Sequence, residues 1–344
     1  MAGFTSSEPA TSFVPLHIYL QISYSRLSID SRSVSPSAIP KPEQRVTTTT
    51  STISQQQIDD YNANGFVIVE DVIPPDQLEE LRRVTDEFVE QSRQVTEHTA
   101  QFDLEPGHTA SNPKLRRLKT PEQQHDVYAR MLRNDAILDV VMALIGKNIR
   151  TIGAKLNMKS PEGGSQVEWH TDWAFYPHTN DDLLEVGIPL DDMALENGAL
   201  MAIPGSHDEP EWSHHENGVF VGAVSRDHFN IEDAMPFLMK AGDISLHHVR
   251  LLHGSAPNLS TRPRRLLLQG YAAVDAFPLK GIADWDAWNA RILRGEPTSV
   301  PRMEALPVTF PQPEPSNVGS IYEIQRSMNK SHYEGGTAKF GDDS

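Results

Sequence analysis

Glu168-Trp169-His170-Thr171-Asp172, answered far downstream by Leu251-Leu252-His253-Gly254-Ser255, are the stretches on which the reading of this chain turns. The first supplies an imidazole and a carboxylate two residues apart; the second supplies another imidazole. On a strand, residues two apart point to the same side, so His170 and Asp172 can meet one metal ion while Thr171 faces away. Two imidazoles and one carboxylate can occupy one face of an octahedral iron(II) ion and leave its other positions open. That reading places Val167–Asp172 on a strand.

The chain around this motif has the texture of a β-rich domain. From Ile149 onward, short strand-like runs alternate with Gly, Pro, Asn and Asp. They are Ile149–Met158, Val167–Asp172, Leu183–Leu190, Leu200–Ile203, Asp243–His247 and Arg265–Ala273. Such spacing predicts a sandwich or barrel. Upstream the patterning is helical. Ser54-Gln55-Gln56-Gln57 can form a capping box that opens a helix stopping at Asn64-Gly65, and Phe66–Val69 then reads as a strand. Asp76 with Glu79 offers a second box after Pro74-Pro75, followed by a stripe of Leu78, Leu81, Val84 and Phe88. Thr120-Pro121 marks a third start, with helical patterning to about Leu144 and a break near Asn134-Asp135. A helical N-terminal third packed on a β-barrel is the expected architecture.

Composition narrows the chemistry. The 344 residues include no cysteine, so any metal must rest on His, Asp or Glu. No run approaches about 18 apolar residues, so no membrane span is expected. The formal charge of −17 argues against nucleic acid and leaves a small molecule as the expected partner of a monomer or homodimer. One basic run, Lys114-Leu115-Arg116-Arg117-Leu118-Lys119, reads as a solvated loop before a helix or as a handle for an anionic group. Residues 1–52, rich in Ser, Thr and Pro, read as a disordered extension or a targeting segment. Cytoplasmic location is the default, with mitochondrial targeting by residues 1–52 as the alternative; Gly341-Asp342-Asp343-Ser344 lacks a peroxisomal Ser-Lys-Leu signal. Residues 309–344, with Pro311, Pro313 and Pro315, are expected to be loop-rich and partly disordered.

The context of the motif strengthens it. Trp173, Phe175 and Tyr176 follow at once and suit the wall of a substrate cavity. Ala241-Gly242-Asp243 leads a strand toward His253-Gly254-Ser255, with Asn258 just beyond, and Arg264 follows His253 by eleven residues. Together with Asn197-Gly198-Ala199-Leu200 and Ile203-Pro204-Gly205-Ser206-His207, these residues resemble the phytanoyl-CoA dioxygenase family of iron(II)- and 2-oxoglutarate-dependent oxygenases. The resemblance covers roughly residues 54 to 275. It implies a mainly β fold with flanking α, a double-stranded β-helix (jelly-roll, cupin-like) core with an N-terminal helical layer, as one dioxygenase domain over 53–308. It also implies that His170, Asp172 and His253 bind iron(II), and that Arg264, Ser255 and Asn157 hold 2-oxoglutarate, with O2 as the oxidant. The implied reaction hydroxylates an unactivated carbon of a small metabolite and releases succinate and CO2. Related halogenases carry a small residue in place of the carboxylate, so Asp172 points to hydroxylation, or another outcome such as desaturation or ring formation, over halogenation. The namesake branch has Gln where this chain has Thr171, which separates it from the namesake substrate.

Other readings start from the same residues. A cupin-like metal protein that does not use 2-oxoglutarate, or a non-catalytic metal-binding barrel, would keep the triad; a carboxylate-matching guanidinium at Arg264 speaks against both. His214, His215, His247 and His248 are expected to pack or face solvent, and His207 to organise a loop. Arg262 and Arg265 flank Arg264 as alternative anchors.

Overall fold

The computed structural model describes residues 53–333 apart from Glu211; the expectations for 1–52 and 334–344 fall outside the described residues. Helix α1 (Gln55–Asn64) begins where expected. Ser54 Oγ accepts from the Gln57 amide at 3.2 Å and Gln57 Oε1 accepts from the Ser54 amide at 3.0 Å, the reciprocal capping box. It ends at Gly65, whose φ of +79° suits only glycine without strain. Helix α2 (Pro75–Gln91) starts on Pro74 with no side-chain cap, so the expected Asp76/Glu79 box does not form. Asp76 lies in the first turn instead, where its charge favours the positive end of the helix dipole.

The third helical region is divided twice. Helices α3 (Pro121–Gln124) and α4 (Asp126–Met131) meet at His125, whose extended backbone ends one while its ring accepts from the Val127 amide to cap the next. Helix α5 (Asp135–Ile145) starts at Asn134, where the Asn side chain accepts from the amides of Ala136 and Ile137, and stops at Gly146.

The strands are β1 (Phe66–Val69), β2 (Phe102–Leu104), β3 (Leu115–Lys119), β4 (Ile149–Lys159), β5 (Val167–His170), β6 (Leu183–Pro189) and β7 (Leu200–Ala202). After them come β8 (His215–Glu216), β9 (Val219–Phe220), β10 (Met235–Pro236), β11 (Ile244–His248), β12 (His253–Ser255), β13 (Arg264–Ala273) and β14 (Ile292–Arg294). An eight-stranded sheet has the order β1-β11-β6-β13-β4-β3-β2, with β14 beside β4; a four-stranded sheet has the order β10-β7-β12-β5. Neighbours in both are antiparallel. This is the double-stranded β-helix with a helical layer. The basic run Lys114–Lys119 is not a loop: its last five residues form β3, paired with β4.

Alternation explains which layer each side chain joins. Val67 and Val69 of β1, Leu156 and Met158 of β4 and Leu267 of β13 pack outward with Leu81 and Val84 of α2 and Leu138 of α5. The intervening Phe66, Ile68, Leu266 and Leu268 turn inward, toward Leu200 and Ala202 of the smaller sheet and Phe237 just after β10. The packed chain continues past the expected boundary at 308. Helix α6 (Trp285–Asn289) precedes an extended run, and α7 (Ile321–Ile324) lies against the barrel. There Gln325 bonds the backbone of Glu168 and Gly222, and the Glu168 carboxylate bonds Ser331 and the ring and amide of His332.

Candidate active site

His170 ends β5 and His253 begins β12, and the two are direct register partners across the strands. Their ring centroids lie 4.2 Å apart. Strand β5 stops two residues earlier than the alternation argument assumed, and Asp172 opens a short 3-10 turn. Thr171 itself stays extended, with φ −112° and ψ 141°, so Asp172 still returns to the side of His170. Thr171 faces away: its amide donates to His214 Nε2 at 2.9 Å. Ligand atoms of His170, Asp172 and His253 all lie within 4.8 Å of one another.

Both imidazoles are held in the form a metal requires. His170 Nδ1 lies 2.8 Å from the Glu168 carbonyl and His253 Nδ1 lies 2.9 Å from the Leu251 carbonyl. A carbonyl only accepts, so each Nδ1 carries the proton and each Nε2 offers its lone pair. Burial pushes His170 down to about 4 and, aided by His170 and His247, holds His253 well below the usual imidazole range. Neutral rings result at physiological pH. Burial alone would raise Asp172, but Lys155, His247, His253 and His170 outweigh it and hold the carboxyl well below its usual range. Asp172 Oδ2 is buried with no hydrogen-bond partner among the described residues. A buried anionic oxygen beside two lone pairs fits a divalent cation.

The cavity over this triad measures about 200 Å³, below the roughly 300–1,000 Å³ of ordinary ligand pockets. Asn157 and Lys155 reach it from β4, and Arg264, Leu266 and Leu268 from β13. These residues share one face, because Asn157 pairs with Leu266 and Lys159 with Arg264 in register. Ser255 also lines it, on the strand that carries His253. Arg264 is 3% exposed; its Nη2 donates to the Gly198 carbonyl at 3.1 Å, and its Nε has no partner among the described residues. Burial lowers it only to about 10, so it stays a cation. Gly198 is required at φ +75°, since a Cβ there would meet the Ala256 carbonyl oxygen at 2.5 Å.

The flanking arginines are occupied elsewhere. Arg262 pairs with Glu196 at the surface, and Arg265, one residue out of phase, pairs with Asp191 and Asp86. Of the aromatic trio, Phe175 and Tyr176 line the cavity. Trp173 does not; it is buried in a separate cluster and donates to the Pro307 carbonyl at 2.9 Å. His207 bonds the Asn62 carbonyl and so ties its loop to α1, and Asn258 braces the backbone of Lys159 and Arg262.

His247 stays outside the ligand cluster, as expected, but its place in the cavity wall was not expected. His247 lines the cavity, its ring centroid 4.6 Å from that of His253 and its Nε2 3.6 Å from Asp172 Oδ2. A signal for this was available. Ile244 and Leu246 belong to the helix-side core, so the alternate Ser245 and His247 must face inward. Arg117 of the basic run also reaches the cavity, opposite Asn157, while Arg116 stacks over Tyr322 and pairs with Glu323.

A jelly roll carrying two histidines and one carboxylate at its mouth defines the class of non-haem metal oxygenases. The chain belongs to the phytanoyl-CoA dioxygenase family, whose profile matches residues 61–266. A probable alpha-ketoglutarate-dependent hypophosphite dioxygenase of Stutzerimonas stutzeri is 41% identical over 68% of this chain and 83% of its own. Peroxisomal phytanoyl-CoA dioxygenase of Rattus norvegicus is 24% identical over 73% of this chain and 79% of its own. Among solved structures, EctD from S. alaskensis with bound iron superposes with a TM-score of 0.58 and 22% identity, covering 76% of this chain and 90% of that one.

Proposed function

We propose that this chain oxidises a small phosphorus oxyanion of the hypophosphite class. It is an iron(II)- and 2-oxoglutarate-dependent dioxygenase, and the two readings without 2-oxoglutarate fall away with the family. In this proposal His170, Asp172 and His253 hold the iron, whose contribution is to activate O2 for insertion into an unreactive bond. Arg264 pairs with the distal carboxylate of 2-oxoglutarate, assisted by Ser255, and Asn157 contacts its other end.

The observation that carries the substrate class is the cavity itself: about 200 Å³, with Lys155 and Arg117 in its wall. It must take 2-oxoglutarate and substrate together, so the substrate has few atoms. A phytanoyl-CoA does not fit that description. In the reaction, hypophosphite, 2-oxoglutarate and O2 give hydrogen phosphite, succinate and CO2. One oxygen atom enters a new P–OH bond in place of P–H, and the other enters the succinate carboxylate. The bond oxidised is then P–H rather than the C–H expected from sequence.

The chain's own residues position and exclude. The carbonyls of Glu168 and Leu251 fix the two imidazole rings. Phe175, Leu266, Leu268 and Ile324 wall off water from the reacting atoms. The test is succinate release by the iron-loaded protein with hypophosphite, with phosphite followed by phosphorus NMR. Hypophosphite-stimulated succinate and phosphite in equal amounts are expected. Succinate stimulated instead by a small carbon substrate such as ectoine would replace the P–H reading with C–H hydroxylation.

A further inference from the structure

Once the triad and the cosubstrate residues are assigned, three polar side chains in the cavity wall remain without a task. His247 is 1% exposed, and neither of its ring nitrogens has a hydrogen-bond partner among the described residues. Lys155 Nζ stands 3.8 Å from Asp172 Oδ1 and 3.5 Å from Glu185 Oε1. Arg117 has no ion pair among the described residues, and its Nε is buried and unpartnered. Arg116 and Arg265, on the same strands, are paired with carboxylates, whereas Arg117 and Arg264, the two guanidinium groups that reach the cavity, have no carboxylate partner among the described residues. A buried donor without an acceptor forgoes the hydrogen bond that water would have given it, so a ligand that satisfies several at once is strongly favoured.

The charges in the cavity do not balance without such a ligand. Asp172 belongs to the metal, and Arg264 to the cosubstrate. Lys155 then has only Glu185 at 3.5 Å, and the two carboxyls of the adjoining wall, Glu185 and Glu122, are both driven by burial toward their neutral form. Lys155, Arg117, Tyr176 and Glu185 also line a second cavity of about 640 Å³ that opens on the helix side. The cationic groups therefore stand between the outer chamber and the metal triad. The chain as a whole carries −17, so anions are drawn in only by a local field of this kind.

We propose that Lys155, His247 and Arg117 form an oxyanion cradle that binds the substrate beside the metal, separate from the Arg264 site. The proposal rests on the iron and 2-oxoglutarate reading of this cavity and names the recognition chemistry within it. Two cations and an imidazole N–H donor match an ion with one net negative charge and two or three acceptor oxygens. His247, beside Asp172 and His253, contacts the part of the anion nearest the metal. Arg117, shared with the outer chamber, contacts the part nearest solvent.

The test uses full-length protein with iron(II) and 2-oxoglutarate under anaerobic conditions, titrated with hypophosphite, formate, sulfite and, as a neutral control, acetamide. Binding is read as a change in the weak visible band of the iron–2-oxoglutarate chelate. Charged oxyanions, but not acetamide, are expected to perturb it. Lys155→Met, His247→Phe and Arg117→Gln should each weaken that anion response at least tenfold, with 2-oxoglutarate affinity shifted less than threefold. Lys155→Arg should recover much of the loss, which a merely structural lysine would not do. If the variants lose 2-oxoglutarate affinity instead, the three residues serve the cosubstrate and the cradle is overturned. It is equally overturned if no oxyanion perturbs the wild-type band. If formate or sulfite binds through these residues but hypophosphite does not, the cradle stands and the phosphorus reading falls. Should a variant fail to fold, Lys155→Gln, His247→Asn and Arg117→Met provide the same readouts.

Discussion

The two faces of β4 and β13 are built from alternate residues of the same strands, yet they follow opposite rules. On the outer face Leu156, Met158 and Leu267 are packed against the helices, and the Tyr271 hydroxyl bonds the Leu132 carbonyl and Gln269. On the inner face Asn157 Oδ1 and Arg264 Nε are buried without partners, as are Asp172 Oδ2, Glu185 Oε2 and both ring nitrogens of His247 on the surrounding strands. One face is filled mainly by apolar packing, with Gln269 Nε2 its unpaired polar atom among the residues named. The other is left polar, buried and incomplete, the condition in which a site binds ligands tightly. A period of two lets a single strand serve both demands.

Breaking the inner face at its centre has the largest expected effect. His170→Ala or Asp172→Ala should abolish 2-oxoglutarate turnover measured as succinate. Asp172→Ala should lower the melting temperature of metal-free protein at neutral pH, because it removes the carboxylate that partners Lys155 and leaves that partly buried cation uncompensated. Full turnover by either variant would refute the metal assignment. Breaking the outer face should do the converse: Leu156→Ala, at a position with no exposed area, should cost about 2–5 kcal/mol by denaturant titration. Its remaining folded fraction should keep the wild-type 2-oxoglutarate KM.

Smaller effects sharpen the comparison. Arg264→Gln should raise the 2-oxoglutarate KM by roughly ten- to a hundredfold, about 1.5–3 kcal/mol for a lost charged pair, with iron binding intact. An unchanged KM would move the cosubstrate elsewhere. The mildest test uses His178, in the wall of the outer chamber, which burial, with Arg150 nearby, pushes down to about 4. Its folded-state value lies below its unfolded one, so the unfolded chain takes up the proton first. Stability from this ring is present above the unfolded value and is lost as pH falls from about 6.5 toward 4. His178→Gln should flatten the decline in melting temperature over that window; an unaltered slope would show that other groups set it.

Much of the site could be read from local spacing. His170 and Asp172 lie two apart, and Arg264 differs from Arg265 only in phase, so alternation separates them once β13 is recognised. Ser54, Asn134 and Gly65 gave their helix ends through short-range hydrogen bonds. What escaped depends on distant partners. The basic run was mistaken for a loop because charged residues are poor strand formers, and only pairing with β4 makes it one. The role of residues 309–333 was hidden because Gln325, Ser331 and His332 meet Glu168 only in the folded chain. Trp173 looked like cavity wall because Phe175 and Tyr176 are; the 3-10 turn at Asp172 rotates it into another cluster.

The register pairing of His170 with His253 has a thermodynamic corollary. An ion held by both would cross-link β5 to β12, closing a loop of 83 positions that the unfolded chain leaves open. Each tenfold rise of free metal above its dissociation constant then adds about 1.4 kcal/mol to folding, read as a rise in melting temperature. Metal scarcity would therefore shorten the lifetime of the polypeptide as well as silence it, because the ion acts as a clasp on the same two strands it equips for chemistry.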